Sequence, residues 1–248
     1  MLPITEIPSS SMTLPVTKKD ITVRAMTTKE EKILLLGKEC GDDAHVSMIL
    51  NNLIKECTYS KITSFDNLST PDIVAILLKI IELSRGSIVE HTYICKNLDK
   101  DNKVCNTKIV VPVDIKDVKY NVPENINDTI SISDSVSVKL VYPSKQIYDN
   151  AKNDSDGSDI DLKLHLCAYC IELVLEGEEV YNEYSHTEIY EWLLNFPSSV
   201  IKKISDYISS APSAILEYDV KCPKCGYSQH IILNELADFF MNDIPVKH

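Results

Sequence analysis

Basic residues are scarce in this chain of 248 residues. Lysine and arginine together number 25 against 37 aspartate and glutamate residues, giving a formal net charge of −12. Arginine occurs only at Arg24 and Arg85. A protein that binds nucleic acid usually neutralises phosphates with a basic patch or stripe. We therefore expect no nucleic-acid partner.

Long apolar runs are also missing. No stretch of about 18 apolar residues, the length that a membrane-spanning helix needs, occurs in the sequence. The first residues, Met1 to Glu6, lack the basic start and apolar middle of a secretory signal. We therefore expect no membrane association and a cytoplasmic location. In that compartment the eight cysteines are expected as thiols or metal ligands, since disulfides need an oxidising environment.

Recognisable catalytic motifs are absent as well. The sequence contains no glycine-rich phosphate loop, no nucleophile elbow and no metal-hydrolase helix. His45, His165 and His186 have no evident nucleophile beside them, so we interpret them as surface or core histidines. The sequence thus predicts neither an enzyme nor a small-molecule substrate.

The strongest positive signal is the segment Cys222-Pro223-Lys224-Cys225-Gly226. A Cys-x-x-Cys pair with an internal proline and a following glycine is typical of half a zinc site. Cys95 and Cys105, which bracket a polar loop, provide the best second half. We predict that Cys95, Cys105, Cys222 and Cys225 bind one structural Zn²⁺ ion.

Flanking segments support this pairing. Predicted strands at 91–94 and 108–111 surround the first pair, and strands at 217–220 and 230–233 surround the second. Three alternatives stay open. His91 or His230 could replace Cys105 as a ligand, or the four cysteines could be reduced thiols packed as small hydrophobic side chains.

The remaining cysteines carry weaker signals. Cys167 and Cys170 lie in the apolar run Leu164 to Leu175, which has no glycine or proline and is predicted to be a helix with both thiols in the core. A second metal on this pair is left open. Cys40 and Cys57, near the ends of predicted helices, are also interpreted as core residues.

An acidic segment, Asp149 to Asp161, reads as a solvated loop. Asp154, Asp156 and Asp159 resemble part of a calcium loop, but the closing glutamate is missing. We predict a mobile surface loop without a metal.

The first twenty residues are punctuated by Pro3, Pro8 and Pro15, which exclude a helix and favour an extended arm. A lone tail could not bury its apolar side chains. We therefore predict a docking element for another protein, with a disordered leader as the alternative. The predicted anchors are Leu2, Ile4, Ile7, Met12 and Leu14.

The rest of the chain alternates between helices and strands. Helix starts are marked by a capping box at 27–30, by Ser69-Thr70-Pro71-Asp72, by a capping box at 185–188 and by Pro197, and a further helix is predicted over about 44–57. Strands are predicted at 21–26 and 136–141, and a last helix contains Leu236, Phe239 and Phe240. The fold class is α+β, with helical bundle portions combined with a split zinc-ribbon-like pair of β-hairpins.

This pattern divides the chain into six predicted regions, with zinc joining the third and the sixth into one domain. The regions are an extended arm (1–20), a strand and helices (21–86), the first zinc hairpin and a β region (87–143), the acidic loop (144–160), helices (161–213), and the second zinc hairpin with a C-terminal helix (214–248).

Several motifs together carry a family resemblance. They are the opening Leu-Pro and Pro-Ser-Ser segments, the stretch from Ile21 to Lys32 with its following leucine run, Val141-Tyr142-Pro143, and the Cys222 to Gly226 motif before an apolar strand and a Phe-Phe helix. In these features the chain resembles the baseplate hub proteins of contractile-tailed bacteriophages of the T-even type, and the resemblance spans most of the chain.

The resemblance implies a structural or assembly role at a baseplate hub, with other phage baseplate or hub proteins as partners. It also implies a place in the host cytoplasm during assembly or in the virion tail. Two alternatives remain from the residues. One is a zinc-ribbon transcription or regulatory factor that docks on another protein. The other, a metalloenzyme, is disfavoured because four thiolates leave zinc no open position for water.

Overall fold

The structure is a computed structural model, and it describes residues 6–40, 43–59, 61–62, 68–98, 102–124, 127–234 and 239. The helices found in these residues are α1 (Thr28–Cys40), α2 (Asp43–Cys57), α3 (Thr70–Arg85), α4 (Lys145–Asp154), α5 (Asp159–Tyr169), α6 (His186–Leu194) and α7 (Ser198–Ser209). The strands are β1 (Ser9–Thr13), β2 (Asp20–Arg24), β3 (Ile88–Ile94), β4 (Lys108–Asp114), β5 (Lys119–Asn121), β6 (Thr129–Ser131), β7 (Val136–Leu140), β8 (Ile171–Glu176), β9 (Glu179–Tyr181), β10 (Ser213–Lys221) and β11 (Ser228–Leu233).

The chain forms two compact units. The first unit combines Met1–Asn121 with Ser213–His248, and the second is Val122–Pro212. The chain contains both helices and antiparallel sheets, which confirms the α+β class. The first stretch of the first unit ends at residue 121, and residues 122–143 belong to the second unit.

Helix α3 is the centre of the first unit. Ser69 caps it by accepting the backbone N–H of Asp72, and Pro71 occupies the first turn, as the sequence predicts. Ile76, Leu77 and Ile80 are almost fully buried. The helix contacts β2 and β10, so its apolar residues join the two distant parts of the chain in one core.

The amino-terminal segment differs from the predicted free arm. Residues 9–13 form β1, which pairs antiparallel with β2. Leu14 is fully buried in the core and Met12 packs against it, whereas Ile7 is exposed. Leu2 and Ile4 lie outside the described residues. The arm prediction was wrong for Met12 and Leu14, because pairing with β2 gives their side chains an intramolecular core to enter.

A buried carboxylate holds the turn that follows β1. Asp72 is inaccessible to solvent, and its two oxygens accept the backbone N–H groups of Val16 at 2.8 Å and Thr17 at 3.1 Å. These bonds satisfy a charge that burial would otherwise penalise strongly. The amino-terminal hairpin is thereby fixed to α3.

Helix α1 begins at the predicted capping box. Thr27 donates its backbone N–H to Glu30, and Glu30 donates its own to the Thr27 hydroxyl. Glu30 also accepts two hydrogen bonds from Arg24. The hydrogen bonds from the Arg24 guanidinium lower the pKa of the Glu30 carboxyl to about 2.

The second unit packs helices against a four-stranded antiparallel sheet in the order β6-β7-β8-β9. Val138, Leu140, Ile189, Leu193 and Ile204 are among its most buried residues. The capping box at the start of α6 and the helix restart after Pro197 are confirmed.

The acidic segment is not the predicted loop. Helix α4 extends to Asp154 and α5 starts at Asp159, so only a short turn separates them. Ser144 and Ser158 cap the two helices, and Ala151 is buried. The segment is helical because each cap accepts one of the free N–H groups of its first turn, and Asp159 and Asp161 at the start of α5 interact favourably with its dipole.

The run from Leu164 to Leu175 changes structure in its middle. Cys167 and Cys170 are fully buried, which confirms them as core thiols. The predicted helix ends at Tyr169, however, and the strand β8 begins at Ile171. Pairing with β7 through Val138 and Val174 explains the switch, since the β-branched residues Ile171 and Val174 fit a sheet.

Two further points concern the C-terminal segment and the lengths of the helices. The predicted C-terminal helix lies outside the described residues, apart from Phe239, which is buried. Among the described residues, none of the helices combines the length and the apolarity that crossing a membrane requires.

Candidate metal centre

Two β-hairpins present the four predicted ligands. Strands β3 and β4 pair antiparallel over their whole length, and so do β10 and β11 from Leu216 to Leu233. The four predicted strands are thus confirmed. Cys95 lies one residue beyond β3, and Cys222 lies one residue beyond β10. Each hairpin therefore carries its cysteines in the loop that joins its two strands.

The second pair sits on a tight turn. Cys222 donates its backbone N–H to the Tyr227 carbonyl at 2.8 Å, and Gly226 donates its own to the Cys222 carbonyl at 2.9 Å. Gly226 has a φ of 72°, in the left-handed region that favours glycine. This glycine allows the chain to reverse direction directly after Cys225, so both sulfurs face the same side.

The first pair reaches the same arrangement through a longer loop. The Cys105 N–H donates to the Asn97 carbonyl at 2.8 Å, and the Asn106 N–H donates to the Cys95 carbonyl at 2.9 Å. Leu98 and Val104 form an additional β-bridge. The polar loop thus folds back on itself and places Cys105 beside Cys95 despite their separation in sequence.

The four sulfur atoms lie within 4.8 Å of one another. The Sγ atoms of Cys95 and Cys225 are 3.7 Å apart, and those of Cys105 and Cys222 are 3.9 Å apart. A tetrahedral zinc ion with Zn–S bonds of about 2.3 Å requires sulfurs separated by about 3.8 Å. The arrangement of the thiols matches the size of such a site, and all four cysteines are free.

The surroundings favour thiolate at part of the cluster. Hydrogen bonds from the backbone N–H groups of Cys225 and Lys224 lower the pKa of the Cys222 thiol. The Thr107 hydroxyl, 3.1 Å from Cys105, lowers the pKa of that thiol. Burial instead raises the pKa of Cys95. Deprotonation of all four sulfurs would place four negative charges within 4.8 Å of one another, a charge that a bound cation would offset.

The two alternative histidine ligands have other partners. His91 is buried, and its Nδ1 lies 2.8 Å from the Tyr218 hydroxyl, which also contacts the hydroxyl of Tyr93. His230 is exposed and its Nδ1 lies 2.9 Å from Asp219. The geometry favours Cys105 over either histidine.

A second cluster was missed by the sequence analysis. Asp154, His165 and His186 each bring a possible ligand atom within 4.8 Å of the others. The sequence predicts a loop around Asp154, and both histidines are interpreted there as surface or core histidines. Because the three residues come from three different helices, no short spacing in the sequence could reveal the cluster.

Comparison with known proteins gives two matches. The family model described as T4 bacteriophage base plate protein matches residues 7–241. The baseplate hub assembly protein gp26 of Enterobacteria phage T4 is 26% identical over 225 residues, which cover 90% of this chain and 93% of the relative. No solved structure shows a significant match.

Proposed function

This chain belongs to the T4 bacteriophage base plate protein family, and on that premise we propose that it acts in the assembly of a phage baseplate hub. The observation that carries the proposal is the similarity to a baseplate hub assembly protein along nearly the whole of both chains. We infer a structural or assembly role, without catalysis, in the host cytoplasm and on the growing tail. Its partners are other baseplate proteins.

A disrupted gene tests this role. Host cells infected with a phage that lacks this chain should accumulate incomplete baseplates, visible by electron microscopy of the lysate. Supplying the intact protein from a plasmid should restore complete tails and infectious particles. Normal tails in the absence of the protein would refute the proposal.

We propose that zinc stabilises the first unit through Cys95, Cys105, Cys222 and Cys225. The matching sulfur separations and the backbone N–H groups directed at Cys222 support this assignment. The ion would tie β3 and β4 to β10 and β11, giving a zinc-ribbon-like pair of hairpins. Because four thiolates complete its coordination, the zinc would be structural and would leave no position for a substrate.

An exposed apolar surface supports a role in protein contacts. Ile88, Ile94 and Val110 are 58%, 53% and 50% exposed, and they lie on the outer side of the hairpin formed by β3 and β4. We name these three residues the hairpin face. Exposed apolar patches on soluble proteins commonly mark interaction sites. We assign the hairpin face to contact with another baseplate protein.

Charge substitutions test the hairpin face. Ile94→Asp combined with Val110→Asp should leave the fold intact, since both side chains are about half exposed, but should prevent tail completion in the plasmid assay. Ile232→Asp, at a site 52% exposed on β11, is the matched control and should support normal assembly. Full complementation by the double variant would remove the hairpin face from the proposal.

The composition supports the absence of a nucleic-acid partner. The net charge of −12 would repel phosphate, and the protein does not need nucleic-acid contact for a role in baseplate assembly. Adding labelled DNA or RNA to the purified protein at physiological salt should give no binding in an electrophoretic mobility assay.

A further inference from the structure

We propose that Asp154, His165 and His186 form a second metal site, in the second unit, for a divalent transition-metal ion of the zinc class. Imidazole nitrogen combined with a carboxylate oxygen is a donor set that suits such ions. This site is independent of the cysteine cluster, and it does not rest on the proposed role in the baseplate.

The ligand atoms are already close together. His165 Nδ1 lies 2.8 Å from His186 Nε2, and Asp154 Oδ2 lies 3.8 Å from the same nitrogen. With metal–nitrogen bonds of about 2.0 Å, two imidazole ligands in a tetrahedron lie about 3.3 Å apart. Small side-chain rotations would create the site. They would lengthen the distance between the two histidine nitrogens, and shorten the distance from Asp154 to His186, by about half an ångström each.

A carboxylate lies behind the His165 ring. Asp161 Oδ2 lies 3.5 Å from His165 Nε2, on the side of the ring away from His186. An N–H at Nε2 directed at this carboxylate leaves a lone pair on Nδ1, facing the position between the two histidines. A carboxylate behind a histidine ligand is the usual arrangement around zinc.

Two tyrosines hold the carboxylates and the rings. The Tyr169 hydroxyl donates to Asp154 at 2.6 Å, and its ring stacks on His186 with centroids 3.6 Å apart. The Tyr190 hydroxyl donates to Asp161 at 2.5 Å, and its ring stacks on His165 at 4.2 Å. Each ligand side chain is thus positioned by packing or by a hydrogen bond from its surroundings.

The contact between His165 Nδ1 and His186 Nε2 requires one nitrogen to donate a proton and the other to accept it. A bound cation would instead accept a lone pair from each of these nitrogens and one from the Asp154 carboxylate. The proton of His186 would then lie on Nδ1, which is buried and makes no hydrogen bond within the described residues, so that atom is not one of the proposed ligands.

The elements explain what the ion would do. Asp154 ends α4, His165 lies in the last two turns of α5, and His186 begins α6. An ion bound by all three would crosslink these helices across the short turn and across the β8–β9 hairpin. We infer a stabilising role for it in the second unit.

Cobalt binding to the full-length protein tests the site. Co²⁺ bound by thiolates gives an intense sulfur-to-metal charge-transfer absorption, whereas Co²⁺ bound by nitrogen and oxygen gives only weaker visible bands. We expect two Co²⁺ ions per chain, one with and one without the charge-transfer band. His165→Gln and His186→Gln should each abolish the second ion and retain the first.

Further variants separate the two sites. A Cys222→Ser, Cys225→Ser double variant should lose the charge-transfer band and keep the other ion. Asp161→Asn, which removes the charge behind His165 while keeping the shape of the side chain, should weaken binding of that ion about 10- to 100-fold in calorimetric titration. His230→Gln, which alters an exposed histidine outside both clusters, should bind two ions.

Near-ultraviolet circular dichroism identifies any variant that fails to fold. Asp154→Asn, at an exposed ligand, is a milder change that should also weaken binding of the second ion. The proposal is overturned if folded wild-type protein takes up only the thiolate-bound ion. It is equally overturned if the second ion persists unchanged in His165→Gln and His186→Gln.

Discussion

Replacing Cys222 by serine should both release the zinc and destabilise the first unit. Cys95 and Cys225, whose sulfurs are 3.7 Å apart, are separated by 130 residues in sequence. A crosslink that closes a loop of this length reduces the entropy of the unfolded chain by an amount worth about 5 kcal/mol. Cys222 is buried, so the substitution also leaves a polar hydroxyl among thiols that no longer share a cation.

The expected change is large enough for ordinary measurements. For a domain of this size, each kcal/mol shifts the melting temperature by about 2 to 4 °C, so the first unit should melt about 10 to 20 °C lower. Differential scanning calorimetry gives the shift, and elemental analysis gives the zinc content. The variant should contain one zinc ion per chain fewer than the wild-type protein.

Two controls sharpen this prediction. Cys167→Ala removes a buried thiol of the second unit, so it should lower stability while leaving the zinc at the cysteine cluster unchanged. Cys225→His replaces one zinc ligand by another at an exposed position and should retain the ion. If Cys222→Ser keeps its full zinc content and its melting temperature, the four-thiolate assignment is incorrect.

Three other substitutions test separate parts of the fold by urea unfolding. Asp72→Ala should lower the free energy of unfolding by about 3 kcal/mol, because two backbone N–H groups lose a charged acceptor. Its control, Asp20→Ala at an exposed carboxylate, should lower the free energy of unfolding by less than about 0.5 kcal/mol. Glu30 has a lower pKa in the folded protein, about 2, than the value of 4.5 expected in the unfolded chain. The ionised carboxylate therefore stabilises the fold at pH values above 4.5, and this stabilisation is lost as the pH falls toward about 2. The stability difference between wild type and Glu30→Gln should accordingly shrink by about 2 kcal/mol from pH 7 to pH 3, and a constant difference would contradict the Arg24–Glu30 analysis. Leu140→Ala should cost about 2 to 5 kcal/mol, and Val180→Ala, at an exposed site, should be nearly neutral.

The sequence predicted the hairpins around the cysteines because several local signals agree there. β-Branched runs flank both pairs, and Pro223 and Gly226 mark the turn of the second pair. Helix α3 was equally predictable from the sequence, since Ser69 and Pro71 mark its start and Gly86 follows its end. Agreement between propensity and turn chemistry makes such elements predictable from the residues alone.

The acidic segment and the amino terminus needed more than composition. Composition alone favours a loop over residues 149–161, but the local caps Ser144 and Ser158, together with the burial of Ala151, stabilise helices there. Strand β1 lies between Pro8 and Pro15, which border the strand without interrupting it. The pairing of β1 with β2, and the hydrogen bonds to Asp72 that hold the following turn, involve residues far apart in sequence.

The candidate sites differ in the same way. A Cys-x-x-Cys pair places two ligands on one turn, so half of the cysteine cluster is visible in the sequence. The cluster of Asp154, His165 and His186 depends on how α4, α5 and α6 pack together. Spacing in the sequence provides no signal for such a site.

Recovery of the tagged protein from infected cells tests the central claim most directly. The protein should be purified under native conditions while tails are being assembled, and its bound partners should be identified by mass spectrometry. The account predicts baseplate hub proteins in stoichiometric amounts, and their loss from the Ile94→Asp, Val110→Asp variant. Recovery of the protein bound to RNA polymerase, or alone throughout assembly, would contradict a role in the baseplate.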